Sequence, residues 1–171
     1  MRFPADRLPR DVWGVTFAEF IGPHVVDDRL YRFDGRHADN RIHFEADPAD
    51  EALWTSADGR YAVHRVADED WRPAHTVLLV RAGRGTVGFY AGGMVWIDPS
   101  ERGRGLAAPL VLAGSVAASA VPYERALLGF TSAGVAAHRA AHRLAVAAAL
   151  DAGLPVPDEV ADEAAMAAVR P

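Results

Sequence analysis

A glycine-rich turn between an apolar strand and a helix is the feature that most limits what this chain can fold into. The segment 94–110 reads MVWIDPSERGRGLAAPL. Asp98 and Pro99 end the apolar run, and apolar residues then continue over a full helical length from Leu106 to Ala120. A turn of this kind aims backbone N–H groups and a helix N-terminus at one point, a geometry that holds a phosphate group.

The composition excludes several kinds of chemistry. Among 171 residues there is no Cys, no Lys and no Gln, and all 18 basic residues are Arg. The chain therefore has no thiol nucleophile, no Cys-ligated zinc, no Schiff-base lysine and no phosphate-loop lysine. The net charge of −5 argues against nucleic-acid binding. Because the sequence shows neither an export signal nor a membrane-spanning apolar run, we expect a cytoplasmic protein.

Residue types predict strands in the first half of the chain and helices in the second, where most of the Ala residues lie. The predicted strands are runs of β-branched and aromatic residues between turn residues: Val25–Phe33, Tyr61–Val66, Thr76–Arg81, Val87–Ile97 and Ala126–Phe130. The predicted helices are Asp11–Ile21, a short helical or irregular piece at Asp50–Ala57, Leu106–Ala120, a helix capped by Thr131 or Ser132 and running to Leu150, and a last acidic helix after Asp151. This order is typical of a single α+β domain over residues 1–171.

Two glycine pairs lie among the predicted strands. Gly83 and Gly85 predict a hairpin turn between the strand that ends at Arg81 and the strand that ends at Ile97. Gly92-Gly93 lies inside the second of these strands, where paired glycines predict a bulge at which the strand bends.

Two common nucleotide-binding motifs do not fit the turn, since the phosphate loop needs a Lys and the dinucleotide fingerprint needs a third glycine where Ala108 stands. The arrangement instead resembles the signature of the GNAT family of acyl-CoA-dependent N-acyltransferases. In that signature a strand ends in Val/Ile-x-Pro, and R-G-x-G-hydrophobic-G/A then opens a helix. Here the matching residues are Ile97-Asp98-Pro99 and Arg102-Gly103-Arg104-Gly105-Leu106-Ala107, and the resemblance covers about residues 60–150.

The resemblance implies a mixed, mostly antiparallel sheet with a splayed central strand, flanked by helices, here followed by an Ala-rich helical C-terminus. It implies acetyl-CoA or another acyl-CoA as co-substrate, no metal, and direct attack on the thioester by a primary amine of a small molecule, peptide or protein. The strand before the turn would hold the pantetheine arm, and the turn would hold the pyrophosphate. The implied cofactor-binding residues are Val95, Trp96, Ile97, Arg102, Gly103, Arg104, Gly105, Leu106, Ala107 and Ser132.

The chain departs from the family pattern at the general acid. The family's usual acid is a Tyr on the helix after the next strand, and the helix TSAGVAAHRAAHRLAVAAAL has none. His138 or His142, which share one helix face, would replace it, whereas His75 or His64 would act as a general base through water. Alternatively, the helical histidines are packed or solvent-facing residues. Because Arg139 stands where the H-E-x-x-H helix has its Glu, we predict no metal site.

The sequence leaves three functions open. The first is the N-acyltransferase, and the second is a CoA-binding module without catalysis. The third is a structural or assembly protein that uses its Ala-rich helices as an oligomer interface, and a homodimer is open in every case. The family usually adds two strands where residues 152–171 are helical in pattern, so the fold is truncated, rearranged or completed by a partner.

Overall fold

The structure, a computed structural model, describes residues 3–29, 45–71, 73–121 and 129–169. The strands within these residues are β1 (Val25–Val26), β2 (Pro48–Thr55), β3 (Tyr61–Val66), β4 (Val77–Arg81), β5 (Gly85–Ala91), β6 (Met94–Ile97) and β7 (Gly129–Phe130). The helices are α1 (Arg10–Trp13), α2 (Phe17–Ile21), α3 (Ala107–Ala118), α4 (Ser132–Asp151) and α5 (Asp158–Val169), with 3₁₀ turns at Ala5–Arg7 and Pro99–Glu101. None of these helices has the length and apolar character that crossing a bilayer requires.

Five strands form one antiparallel sheet in the order β2-β3-β4-β5-β6. β1 and β7 form a separate parallel pair, with Val25 opposite Gly129 and Val26 opposite Phe130. Within the described part of the chain, β6 therefore pairs with β5 alone and forms an edge of the sheet. The predicted α+β class and the mostly antiparallel sheet flanked by helices are confirmed.

Helix α3 lies at the centre of the core. Residues 108–115 are all buried, because the helix packs against the five-stranded sheet on one side and against α4 on the other. At its C-terminal end, Arg65 from β3 donates to the carbonyl oxygen of Ala117 at 3.1 Å and to that of Val116 at 3.5 Å. The Val116 carbonyl also accepts from the N–H of Ser119 at 3.3 Å. These contacts join the C-terminal end of α3 to the sheet.

Several predicted elements are confirmed. β3 spans the predicted residues, and β4 begins one residue after the predicted Thr76. The turn over Gly83 joins β4 to β5, as predicted, with Arg81 paired to Gly85. Thr131 is the N-cap of α4, since its Oγ1 accepts from the N–H of Gly134 at 3.0 Å. The acidic helix after Asp151 is α5.

Two predictions in the N-terminal half are wrong. Asp50–Ala57 is not helical, because Pro48–Thr55 is a strand paired with β3. The register of this pair is irregular, so the sequence lacks the regular alternation of polar and apolar residues by which a strand is recognised. Asp11–Ile21 is not one helix with an Asp11 cap. It is broken after Trp13, and Thr16 starts α2 through a capping box with Glu19.

Only the first two residues of the predicted strand Val25–Phe33 are extended in the described structure. An Asp27 carboxylate oxygen accepts from the backbone N–H of Arg29 at 2.9 Å, a local turn that ends β1. Residues 30–33 of this prediction, and residues 126–128 of the predicted strand Ala126–Phe130, lie outside the described residues.

The predicted bulge at Gly92-Gly93 is also wrong. Ala91 of β5 pairs directly with Met94 of β6, so the two glycines form a two-residue hairpin turn. Their φ values of +55° and +98° are those of a type I′ turn, which requires left-handed backbone at both positions. The apolar run 86–97 is consequently two antiparallel strands and not one bent strand.

Gly88 is required where β5 meets β6. A Cβ added there would lie 2.7 Å from the carbonyl oxygen of Trp96. We therefore expect Gly88→Ala to lower the free energy of unfolding by about 1–3 kcal/mol, as overpacking does, measured by urea denaturation. The control is Gly92→Asn, which gives the Asn-Gly pair that type I′ turns favour and should leave the stability unchanged. Equal stability of Gly88→Ala and the wild type would contradict the close approach.

Candidate functional site

A cleft of about 400 Å³ lies between β6 on one side and β7 with the start of α4 on the other. The two walls are not hydrogen-bonded to each other, since β6 pairs with β5 and β7 with β1. The first wall is formed by the β5–β6 turn, β6 and the start of α3, and the second wall has small side chains along α4. The described lining residues are Gly92, Gly93, Met94, Val95, Trp96, Ile97, Arg102, Ala107, Gly129, Phe130, Thr131, Ala133, Gly134 and Ala137.

The open edge of β6 presents backbone hydrogen-bonding groups to this cleft. In an antiparallel pair, hydrogen-bonded and non-hydrogen-bonded residue pairs alternate. Met94 is hydrogen-bonded across the two-residue turn, and Asp98 donates to the Val87 carbonyl at 2.8 Å, so Val95 and Ile97 are the residues whose backbone groups point outward. An extended, polar chain could therefore pair with β6 as a further strand would.

The glycine turn and the N-terminus of α3 lie at one end of β6. Gly103 and Gly105 have φ values of +75° and +73°, which explains why glycine stands at both positions. Leu106 precedes α3 without a side-chain cap, so the N–H groups of Ala107 and Ala108 donate to no capping side chain of that residue. The positive end of the helix dipole adds to these donors, and the arrangement suits an anion.

The two arginines of the turn have different surroundings. Arg102 lines the cleft, where its Nε donates to the Ile97 carbonyl at 2.8 Å and its guanidinium lies 5.9 Å from the Trp96 ring centre. Arg104 is not among the lining residues, and its Nε lies 3.4 Å from a carboxylate oxygen of Glu101. Of the two predicted pyrophosphate-binding arginines, only Arg102 therefore contributes charge to the cleft.

Ser132, predicted to bind the cofactor, contacts a residue outside the cleft lining. Its backbone N–H and its hydroxyl both donate to the carboxylate of Asp28, at 2.6 and 2.9 Å. Its neighbours Thr131 and Ala133 line the cleft, but Ser132 does not. We therefore assign Ser132 to the junction between α4 and the residues after β1.

His138 is fully buried behind Phe130, a residue of the cleft wall. The ring centres of these two residues lie 4.8 Å apart. The Nδ1 atom lies 2.8 Å from the Gly134 carbonyl, which can only accept, so Nδ1 carries the proton. Nε2 then accepts the hydroxyl hydrogen of Tyr90 at 2.9 Å. Burial lowers the pKa of His138 to about 4, so the ring is neutral at physiological pH.

The other candidate histidines also lie outside the cleft lining. His142 is buried between Phe17 and Phe20, donates from Nε2 to the Val15 carbonyl at 2.8 Å, and has a pKa lowered by burial. His75 is exposed in the β3–β4 connection, and His64 donates from Nδ1 to a backbone carbonyl on β2 at 2.7 Å. The described geometry therefore favours the alternative in which the helical pair is packed in the core.

The sequence did not indicate the wall that α4 provides. Thr131, Ala133, Gly134 and Ala137 recur at helical spacing, and their small side chains could have been read as a groove, but Ala is common along this whole helix. Glu101 was also missed, although it is charged and only 1% exposed. Among the described residues, no group of His, Asp and Glu side chains is arranged to hold a metal ion.

The buried neutral state of His138 predicts a pH-dependent stability. Between its native pKa of about 4 and the ordinary value of 6.5, the unfolded chain binds a proton that the native state does not. The free energy of unfolding should therefore fall by about 3 kcal/mol as the pH falls through this range, and recover as it rises. His138→Gln, which cannot titrate, should lose this part of the pH dependence in urea denaturation from pH 7.5 to 4.5.

The exposed His75 supplies the control for that experiment. His75→Gln should keep the part of the pH dependence that His138 causes, because it leaves the buried imidazole of His138 in place. If the difference in stability between the wild type and His138→Gln stays constant over the whole pH range, the depressed pKa of His138 is wrong.

No protein family, curated protein or solved structure matches the chain. The cleft, the open edge of β6 and the uncapped start of α3 are consequently the observations from which a function is argued. Together they form an extended surface that ends at the glycine turn.

Proposed function

We propose that this protein is a GNAT-like acyltransferase that binds acetyl-CoA or another acyl-CoA and transfers the acyl group to a primary amine. The observation that carries the proposal is the cleft between the outward edge of β6 and α4, with the glycine turn at its end. A ligand made of an extended amide chain joined to a pyrophosphate has the chemistry to use both parts. The sequence resemblance to the GNAT signature adds independent support.

Each part of such a ligand has matching groups in the chain. The outward backbone groups of Val95 and Ile97 would pair with the amides of the pantetheine arm. The N–H groups of the turn and of Ala107 would hold the pyrophosphate, with Arg102 adding positive charge. Because the Ile97 carbonyl already accepts from Arg102, the free outward groups are the N–H of Ile97 and both groups of Val95.

The reaction needs no protein nucleophile. The amine nitrogen of the acceptor bonds to the acyl carbon, the carbon–sulfur bond breaks, and the proton lost by the amine ends on the sulfur of the released CoA. A backbone N–H on the β6 edge would stabilise the oxyanion that forms during the attack. The proposal gives no proton-transfer role to His138 or His142, since both are buried, neutral and hydrogen-bonded to backbone carbonyls.

Binding is tested by calorimetric titration with acetyl-CoA and with CoA, for which we expect dissociation constants in the micromolar range. Ala133 is exposed and lines the cleft, so Ala133→Trp should fill the cleft from the surface and abolish binding while the protein stays folded. Ala136→Trp is the matched control, because Ala136 is exposed on the same helix but does not line the cleft. If the wild type binds neither ligand, or if Ala133→Trp binds as well as the control, the proposed site is wrong.

Catalysis is tested by the release of free CoA in the presence of a panel of primary amines. The chain contains no Cys, so a thiol-reactive dye reports CoA alone. We expect CoA release that depends on the amine and that Ala133→Trp abolishes. Because the chain has no Lys, acylation of its own side-chain amines cannot produce a background signal.

A CoA-binding module without catalysis is the second candidate. The observation that favours it is that Arg102 is the one titratable side chain among the described residues that line the cleft. A protein that binds acetyl-CoA through the cleft but releases no CoA with any amine of the panel would be this module.

A further inference from the structure

We infer that Glu101 is the positioning residue of the glycine turn: its buried carboxylate fastens the turn to the end of the sheet, so that the backbone N–H groups of the turn are held ready for an anion. This inference extends the proposed function, and the part of its test that uses CoA rests on that function. Glu101 directly precedes Arg102, the first residue of the turn, and is only 1% exposed.

The carboxylate of Glu101 accepts three hydrogen bonds and forms one further ion pair. The hydroxyl of Tyr61, at the start of β3, donates to Oε2 at 2.6 Å. Arg84, in the β4–β5 turn, donates to Oε1 at 2.7 Å, and Arg81, at the end of β4, donates to the same oxygen. Arg104, within the glycine turn, places its Nε 3.4 Å from Oε2. One carboxylate thereby ties both the start and the middle of the turn to two strands and a hairpin.

The charge of Glu101 is what makes this arrangement stable. The hydrogen bond from Tyr61 and the nearby guanidinium groups lower the pKa of the carboxyl group, so it is ionised at neutral pH. Removing the charge of a buried carboxylate leaves the surrounding arginines without their counter-ion. Of these arginines, Arg84 has a second carboxylate, Asp98, at 3.2 Å.

The turn needs such an anchor because two of its residues are glycines. Glycine has more conformational freedom to lose than any other residue, so a loop containing Gly103 and Gly105 samples many backbone states unless its neighbours are fixed. Glu101 fixes the N-terminal side of the turn, and the buried helix α3 fixes the C-terminal side. The same ion pair keeps Arg104 beside the carboxylate, so that backbone N–H groups and Arg102 are left to contact the anion.

Positioning and simple electrostatics predict opposite results when Glu101 loses its charge. Glu101→Gln removes a negative charge close to the proposed anion site, which by Coulomb attraction alone should tighten CoA binding. If Glu101 positions the turn, the same variant should weaken CoA binding by about tenfold or more, since preorganised donors are lost. The sign of the change therefore decides between them.

The first measurement compares the wild type, Glu101→Gln and the control Glu51→Gln by calorimetric titration with CoA and with S-acetylpantetheine, which lacks the pyrophosphate. Glu51 is exposed on β2, at the opposite edge of the sheet. We expect Glu101→Gln to weaken CoA binding but not S-acetylpantetheine binding, and Glu51→Gln to change neither. Tighter or unchanged CoA binding by Glu101→Gln, or equal weakening of both ligands, would overturn the inference.

The second measurement needs no ligand. Hydrogen exchange of the backbone amides of residues 102–107 should be faster in Glu101→Gln by about tenfold, while the amides in the middle of α4 keep their wild-type protection. Unchanged exchange in the turn, or faster exchange throughout the protein, would count against positioning. If the wild type binds no CoA, the proposed function fails, and the exchange measurement still decides the role of Glu101.

Tyr61→Phe serves in case Glu101→Gln does not fold. It deletes one hydrogen bond to the carboxylate and changes no charge, so electrostatics predicts no effect on CoA affinity. We expect weaker CoA binding and faster exchange in the turn, both smaller than for Glu101→Gln. Wild-type values for both in a folded Tyr61→Phe protein would contradict the inference.

Discussion

The burial of α3 on both sides is the constraint from which the rest of the molecule follows. The helix has no polar face, so it is stable only between two apolar layers, and the five-stranded sheet and α4 supply them. Because α3 is packed on both sides and its C-terminal end is joined to β3 by Arg65, its uncapped N-terminus lies at a fixed place beside β6. The candidate site therefore takes its geometry from the core.

Elements were predicted correctly where the residue pattern along the chain and the contacts in the fold favour the same structure. The strand Tyr61–Val66, the helix cap predicted at Thr131 or Ser132 and the glycine turn before α3 each combine a local pattern with a compatible fold. The errors arose where one local pattern suits two structures. A glycine pair inside an apolar run fits a bulge as well as a type I′ turn, and only the pairing of Ala91 with Met94 decides between them.

The candidate site was predicted in part for the same reason. Backbone features could be located, because glycine spacing and a strand before a helix are visible in the sequence. Side-chain roles could not, since helical spacing shows that His138 and His142 share a face but not that this face meets Phe17 and Phe20 in the core. Likewise Asp50 and Glu51 disfavour a strand, and pairing along β3 overrides that preference.

Two buried titratable groups have opposite charge states: burial disfavours the charged form of both, but only Glu101 has partners that outweigh it. His138 is enclosed by neutral groups, the Tyr90 hydroxyl and the Gly134 carbonyl, so the uncharged ring is favoured. Glu101 accepts a hydrogen bond from the Tyr61 hydroxyl and lies among guanidinium groups, so the charged carboxylate is favoured. A neutral histidine behind the cleft wall adds no charge that would attract or repel an anionic ligand. A charged glutamate beside the turn pairs with Arg81, Arg84 and Arg104, and Arg102 is the arginine among the described residues that line the cleft.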